Sequence, residues 1–521
     1  MKTLRKYHKW PSLIIGFFLL LFAASGIVMN HRDWFSNINF SRQLLPPDYH
    51  YKNWNLAAIK GNIALKDGSY LVYGNIGIYR TDKQLSTFTD FNNGLGKGMD
   101  KRKIFSMLHS ENGDLYAGTL FGLFRYNQES KEWESYTLPE KTPRVVRVEQ
   151  HGSQILVLTR SHLYTFPEGN AQMISEIPIP RAENDDGKAS LFRTLWIIHS
   201  GELMGLPGKI LVDLVGLGLI FITLSGFYYT LMPSMARRSG EKLKKKLKRI
   251  NRFSINWHNK LGVYGIVFLL ITTITGMFLR PPLLIPIAYS RVSPIPGSSL
   301  DHKNPWHDKL RDMLTDSASN SIIVSTSEGF YRFTPGDTIS RAFQVQPEVS
   351  VMGITAFEHL PEGGLLVASF SGLYRWQPDF DIVTDYVTGL PARTGARGNP
   401  FGALALSGVI TENGEALAMI DYQAGWIPLN KSKIKPQMPE EIRRLPVSLW
   451  NLSLEVHTGR IFSVILSDFY ILYVPLMGIT TLLIIITGLW MWLKMRKRSK
   501  KPKNKALYEN PAIERSTKST V

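Results

Sequence analysis

Of twelve histidines in the 521-residue chain, five stand where a long apolar run begins or ends: His8, His31, His199, His258 and His457. Four of them come as matched pairs. Tyr7-His8-Lys9-Trp10 precedes one apolar run and Trp257-His258-Asn259-Lys260 precedes another; 18 residues separate His8 from Gly26, and 18 separate His258 from Gly276. Leu195-Trp196-Ile197-Ile198-His199-Ser200-Gly201 and Leu454-Glu455-Val456-His457-Thr458-Gly459 lead into the other two runs. Neutral imidazole binds iron well, and a chain without cysteine offers no thiolate to compete. If the two copies pack about a pseudo-twofold axis, His8 meets His258 and His199 meets His457. Two imidazoles on facing helices are one way to hold a haem iron axially. The alternative stays open, since histidines at the headgroup level also serve structure alone. That plainer reading is adopted for His50, His109, His151, His162, His302, His307 and His359. His31 has no counterpart, because Pro281 stands at the equivalent place; it is left as a substitute ligand, a propionate contact or a bystander.

The elements that must position these side chains are four apolar segments, Ser12 to Met29, Ile210 to Met232, Leu261 to Leu279 and Phe469 to Leu493. At about 1.5 Å rise per residue each can cross a hydrocarbon core of roughly 30 Å. His8 and the far end of its segment are then about 27 Å apart, so two haems at opposite membrane edges could pass electrons outward. A small hydroxyl residue followed by glycine recurs in every segment: Ser25-Gly26, Ser225-Gly226, Thr275-Gly276 and Thr487-Gly488. Such residues admit close approach of another helix or of a flat ligand, and antiparallel packing would set Gly26 and Gly276 near His199 and His457, and Gly226 and Gly488 near His8 and His258. Asp213 and Asp468 touch the spans and are expected to face the bundle or water.

The net charge of +19 resides in three pieces: residues 1–10, residues 235–252 and residues 494–521. The rest of the chain is close to neutral. Basic residues beside spans mark the cytoplasmic side, which sets both termini inside and excludes nucleic acid as the partner. The first segment resembles a cleavable signal, but its layout recurs in mid-chain, so it is read as a retained helix.

Between the spans run repeats of another kind. Asp67-Gly68-Ser69-Tyr70-Leu71-Val72-Tyr73 is followed by Gly77-Ile78-Tyr79-Arg80, and Asn112-Gly113-Asp114-Leu115-Tyr116-Ala117-Gly118 by Gly122-Leu123-Phe124-Arg125. Further copies begin at Gly152, Gly329, Gly363 and Asn413, spaced by about 40 to 45 residues. Alternating strands with that period read as propeller blades, three from each half, closing one ring of about six; two open half-sheets are the alternative.

Two resemblances rest on these residues. The blades are similar to sensor-type propeller repeats of bacterial periplasmic proteins. The membrane part resembles the PepSY-associated transmembrane helix family, through His8-Lys9-Trp10, through Ser25-Gly26-Ile27-Val28-Met29-Asn30-His31-Arg32, and through His199-Ser200-Gly201 and His457-Thr458-Gly459. That likeness covers about 150 residues. It implies an inner-membrane haem protein of the kind that reduces ferric siderophores, with two b-type haems on His8, His258, His199 and His457 and with His31 near one of them. No PepSY domain is visible between the spans, where the propeller-like repeats stand instead.

The fold class is therefore membrane α plus β: a four-helix transmembrane bundle from an internal duplication, with a periplasmic propeller-like domain of about six blades. The expected parts are 1–32 (N-terminus and first span), 33–190 (first outer half), 191–233 (lead-in and second span) and 234–256 (basic cytoplasmic loop). Then follow 257–280 (third span), 281–447 (second outer half), 448–494 (lead-in and fourth span) and 495–521 (basic tail). Lacking any nucleotide loop, dinucleotide fingerprint or nucleophile elbow, a reductase of this design would draw electrons from quinol or a cytoplasmic donor. It would pass them to a periplasmic ferric-siderophore or other acceptor docked on the propeller. Arg32, Arg193 and Arg460 are candidates for propionates or lipid phosphates. The rival reading is a non-enzymatic, membrane-anchored propeller acting as a sensor, accessory or protein-binding module of the bacterial inner membrane.

Overall fold

The computed structural model describes residues 2–499 apart from 171–172, 317–318, 351–352, 396–403 and 430–433; most of the basic tail expected at 495–521 lies outside the described residues. The chain divides into two compact units. One comprises Met1–Leu20, Leu214–Ile274 and Leu476–Val521, the other Leu21–Asp213 and Thr275–Pro475.

The first unit is helical, and its long spans apart from the basic helix Glu241–Tyr264 are apolar almost all round, as a membrane span must be. Helices within Thr3–Asn30, Glu202–Arg237 and Arg460–Lys497 are long and apolar enough to cross a bilayer. A fourth candidate is not the straight span expected at 261–279. It is a pair of helices, Glu241–Tyr264 and Ile266–Phe278, bent by 65° at Gly265. Glycines at 262 and 265 weaken the helix there, and glycine is a usual cause of a sharp kink. The basic stretch expected as a loop at 234–256 is also helical from Glu241 onward. It holds no proline or glycine between 241 and 261, and Glu241 sits in its first turn, where a negative charge suits the helix dipole. Leu247 of this segment is buried, and its carbonyl accepts from the Tyr228 hydroxyl at 3.1 Å.

Among the described residues the second unit holds six sheets built of sequential antiparallel strands, besides two two-stranded pairings. Their first strands are Gly61–Ala64, Ile104–His109, Val145–His151, Leu310–Asp316, Ile354–His359 and Leu406–Glu412 (sheets 1 to 6). Each repeat seen in the sequence supplies one sheet. The Asp-Gly and Asn-Gly turns close hairpins because glycine takes positive φ there, +81° at Gly68 and +93° at Gly113. Consecutive first strands touch and exchange hydrogen bonds. His109 Nδ1 donates to Ala64 O at 3.0 Å between sheets 1 and 2, and Val148 N to Ser106 Oγ at 3.1 Å between 2 and 3. Thr315 Oγ1 donates to Glu149 at 2.8 Å, His359 Nε2 to Thr315 O at 2.8 Å, and Thr355 Oγ1 to Leu406 O at 3.1 Å. Between sheets 6 and 1, Thr411 N donates to Asn62 Oδ1 at 2.9 Å.

The core follows the same order. One apolar cluster fills each interval, for example Leu71, Ile104 and Trp133 between sheets 1 and 2, and Phe330, Phe357 and Trp376 between 4 and 5. The cluster of Val72, Tyr79, Ile410, Ile420 and Trp426 joins sheet 6 to sheet 1. Each fully buried large apolar side chain there contributes about 1.5–3 kcal/mol. Truncating Trp376, which is wholly buried, would cost about 3–5 kcal/mol. Three short pairings tie the halves together. Asn39–Phe40 pairs with Val447–Ser448, Ala189–Ser190 with Arg291–Val292, and Arg181–Ala182 joins the edge of sheet 4 in parallel.

Candidate functional site

In the first unit, His8 lies on the helix Lys2–Asn30 and His258 on Glu241–Tyr264. Their ring centroids are 6.3 Å apart, with planes at 78°. The helix Tyr473–Ser499 presents Thr487-Gly488 to His8. Nδ1 donates to Ile484 O at 3.0 Å and lies 3.4 Å from Thr487 Oγ1, while a Cβ on Gly488 would come within 3.0 Å of the ring. The helix Gly205–Arg237 presents Ser225-Gly226 to His258 in the same way, with Nδ1 to Ile222 O at 3.0 Å and to Ser225 Oγ at 2.9 Å.

In the second unit, His199 closes the helix Leu191–Ser200 and His457 closes Leu449–His457. Their centroids are 6.1 Å apart, with planes at 66°. Ser25-Gly26 faces His457, whose Nδ1 donates to Phe22 O at 3.1 Å and lies 3.0 Å from Ser25 Oγ. Thr275-Gly276 faces His199, with Thr275 Oγ1 3.4 Å from Nδ1. A Cβ on Gly276 would meet His199 Cε1 at 2.7 Å. Phe22 packs edge-on against His457 at 5.3 Å. The four hydroxyl-glycine steps are thus four imidazole seats. The glycine lets the ring lie on the helix backbone, and the residue before it supplies an oxygen.

This bonding determines the tautomer. A carbonyl only accepts, so Nδ1 of His8, His258 and His457 carries the proton. The adjoining hydroxyls donate to their own helices (Thr487 to Leu483 O at 2.7 Å, Ser25 to Leu21 O at 2.5 Å, Ser225 to Ile222 O at 2.8 Å), which turns a lone pair toward each Nδ1–H. Nε2 is then the nitrogen left with a free lone pair.

Paired imidazoles with hydrogen-bonded Nδ1 are a donor set of the kind that could hold a haem iron, with His8 and His258 as one pair and His199 and His457 as the other. Among the described residues no group of three or more His, Cys, Asp or Glu is placed to hold a metal ion.

His31 stands apart from both pairs. It is buried, its Nε2 is bonded to Asp213 Oδ2, and it stacks on Trp34 at 4.0 Å; Asn30 donates to Asp213 Oδ1 at 3.2 Å. With Nε2 held by a carboxylate, it forms a hydrogen-bond network rather than a ligand pair. Asp468 is exposed. The three arginines considered for propionates are paired within the chain. Arg32 binds Asp100 through two bonds of 2.9 Å and covers Trp450 at 3.7 Å; Arg193 pairs with Glu202 and Asp308; Arg460 pairs with Glu455. Sequence reading missed Asp100 and Asp308 because they are distant in the chain from Arg32 and Arg193, and it missed the nearby Glu202 and Glu455 and the hydroxyl contacts to Nδ1. The recurrence of Ser or Thr before each glycine was the signal available for the latter.

A helical membrane region threaded by paired histidines defines the class, and comparison with known proteins gives the family. The chain belongs to the PepSY-associated TM region family, whose sequence model matches residues 5–495. No curated protein matches it. Among solved structures, one similar chain is the extracellular domain of a candidate one component system from B. thetaiotaomicron, at 11% identity and a TM-score of 0.32. The match covers 72% of this chain and 39% of that one. A second, the extracellular domain of a candidate hybrid two component system from the same organism, is 12% identical with a TM-score of 0.32, covering 74% and 40%. The present chain thus spans about two fifths of the length of these structures.

Proposed function

We propose that this protein is a bacterial inner-membrane electron-transfer protein that holds two b-type haems, one on His8 and His258 and one on His199 and His457. In this reading the chain crosses the membrane four times, with the bent pair as one span. Both termini lie in the cytoplasm, and the six sheets are the blades of a periplasmic propeller. The observation that carries it is the repeated seat: two imidazole pairs at 6.3 and 6.1 Å, each ring against a glycine. Haem so held supplies one-electron chemistry. The residues of the chain do the rest. The helix carbonyls at Ile484, Ile222 and Phe22 orient three rings and keep Nδ1 protonated, and the apolar helices around them exclude water. The activity that fits is reduction of a periplasmic ferric-siderophore or other acceptor, with quinol or a cytoplasmic protein as donor.

The test is an absorption spectrum of the detergent-purified protein, oxidised and dithionite-reduced, with a pyridine haemochrome assay. A b-type spectrum at two haems per chain is expected, falling to one in His199→Ala or His457→Ala and likewise in His8→Ala or His258→Ala. A colourless protein from haem-replete cells would leave the membrane-anchored propeller, acting as a sensor or docking module, as the better account.

A further inference from the structure

The first strands of the sheets all begin at one end of the second unit, and that end collects cations from distant parts of the chain. Lys60, Lys103 and Arg144 immediately precede the first strands of sheets 1, 2 and 3, and Arg311 is the second residue of that of sheet 4. The first strands of sheets 2 to 6 each carry a bulge near their start, and those between Ile104 and Ser106 and between Leu310 and Asp312 set Phe105 and Arg311 out of register with their partner strands. Lys60 Nζ and the Arg144 guanidinium lie over the Phe105 ring, at 4.1 and 4.6 Å from its centre.

Carboxylates answer only part of this charge. Asp100 is taken by Arg32 and Lys103, and Asp308 by Arg160 and Arg193. Among the described residues Arg311 donates to carbonyls, those of Asp308 and Leu310, and shares the Asp308 carboxylate's charge with Arg144, Arg160 and Arg193. Arg144 Nε is buried without a hydrogen-bond partner. The cost shows in their ionisation: burial, with Arg144 and Lys103 close by, pulls Lys60 down to about 7, and burial among neighbouring arginines pulls Arg144 and Arg311 down to about 9. Clustered, half-buried cations short of counter-charge create a positive potential that a bound anion would relieve.

We infer that Lys60, Arg144 and Arg311 bind a small polyanion presenting carboxylate or phosphate oxygens, at the end of the sheets from which the helices bearing His199 and His457 depart. The guanidinium fork suits such oxygens, and Phe105 leaves the cations poised beside one another. Arg193 stands six residues before His199, and Asn451, which accepts from Lys103 Nζ at 3.0 Å, stands six before His457. Six residues are about 9 Å of helix. If the electron-transfer reading above holds, on which only this role depends, the acceptor is an anionic complex held at this mouth.

The experiment is calorimetric titration of the purified full-length protein in detergent with citrate, with pyrophosphate, and with acetate as the monovalent control. Saturable 1:1 binding of citrate or pyrophosphate is expected, weakened about tenfold or more in Lys60→Met and in Arg144→Gln, with Arg144→Lys intermediate and Lys83→Met unchanged. The haem spectrum should be unaltered in all four. Removing one of several repelling cations should not lower the melting temperature, which separates lost binding from lost folding. Absence of binding, or binding indifferent to Lys60 and Arg144, would overturn the inference. So would loss of affinity for vesicles of anionic phospholipid with citrate binding unchanged, which assigns the cations to lipid headgroups. So would loss of haem from these variants, which assigns them to propionates. Citrate binding by a colourless protein would uphold the anion site and remove the electron-transfer reading.

Discussion

Adding one methyl group at each of the four seat glycines probes the candidate site with graded force. A Cβ would stand 2.7 Å from the nearest ring atom at Gly276, 3.0 Å at Gly488, 3.4 Å at Gly26 and 3.8 Å at Gly226. Carbon atoms rest at about 3.5–4.0 Å, so Gly276→Ala must displace His199 by the better part of an ångström while Gly226→Ala displaces nothing. Overpacking of this kind costs about 1–3 kcal/mol, set against a gain of about 1 kcal/mol in helix propensity on replacing glycine by alanine. The net, up to about 2 kcal/mol, falls on the geometry that pairs the rings. The ligating arrangement is then disfavoured by up to about thirtyfold at Gly276, somewhat less at Gly488, little at Gly26 and not at all at Gly226. The assay is haem stoichiometry by pyridine haemochrome, with a redox titration to tell the two haems apart. Gly276→Ala should deplete the haem of His199 and His457, and Gly488→Ala that of His8 and His258. Equal losses in Gly226→Ala and Gly276→Ala, or four variants with full haem, would refute the seat argument.

Other expectations follow from the charges outside the spans. Asp100 is fully buried and bonded to Arg32, Lys103 and Ser448, so Asp100→Asn should destabilise by about 3–5 kcal/mol, read as a lower unfolding midpoint. Lys60 is lowered to about 7, so the folded state penalises its charge; the penalty is absent above about pH 10.5 and complete below about 7. Lys60→Met should therefore stabilise by about 1–3 kcal/mol at pH 6 and not at pH 10.5 or above, in thermal melts without added polyanion. Asp312 is pushed up to about 7 by burial, against the pull of Arg147, so its contribution to stability is present below about pH 4 and lost as pH rises through 7. Asp312→Asn should flatten that slope and be the more stable protein at pH 8 by on the order of 1–4 kcal/mol.

Much of this architecture was legible before any coordinates, wherever the signal was local. Apolar runs of membrane length need no tertiary partner to be recognised, because no water is available inside a bilayer to satisfy exposed backbone. The Asp-Gly and Asn-Gly turns mark hairpins because few other residues take positive φ. Recurring motifs in the sequence made the histidine pairs and their glycines visible as spacings: His8 to Gly26 and His258 to Gly276 are equal in the chain. Spacing said nothing of the bend at Gly265, where a helix is merely weak until packing exploits it. Antiparallel packing already implied that Gly26 and Gly276 lie near His199 and His457, and Gly226 and Gly488 near His8 and His258; only the coordinates decided which glycine faces which ring. The basic mouth is the clearest case of what tertiary structure alone decided. Lys60, Lys103, Arg144 and Arg311 are scattered over some 250 residues, each unremarkable at the head of its own strand. They become one site only because the sheets bring those strand ends together, and charge acts through distance in space, not along the chain.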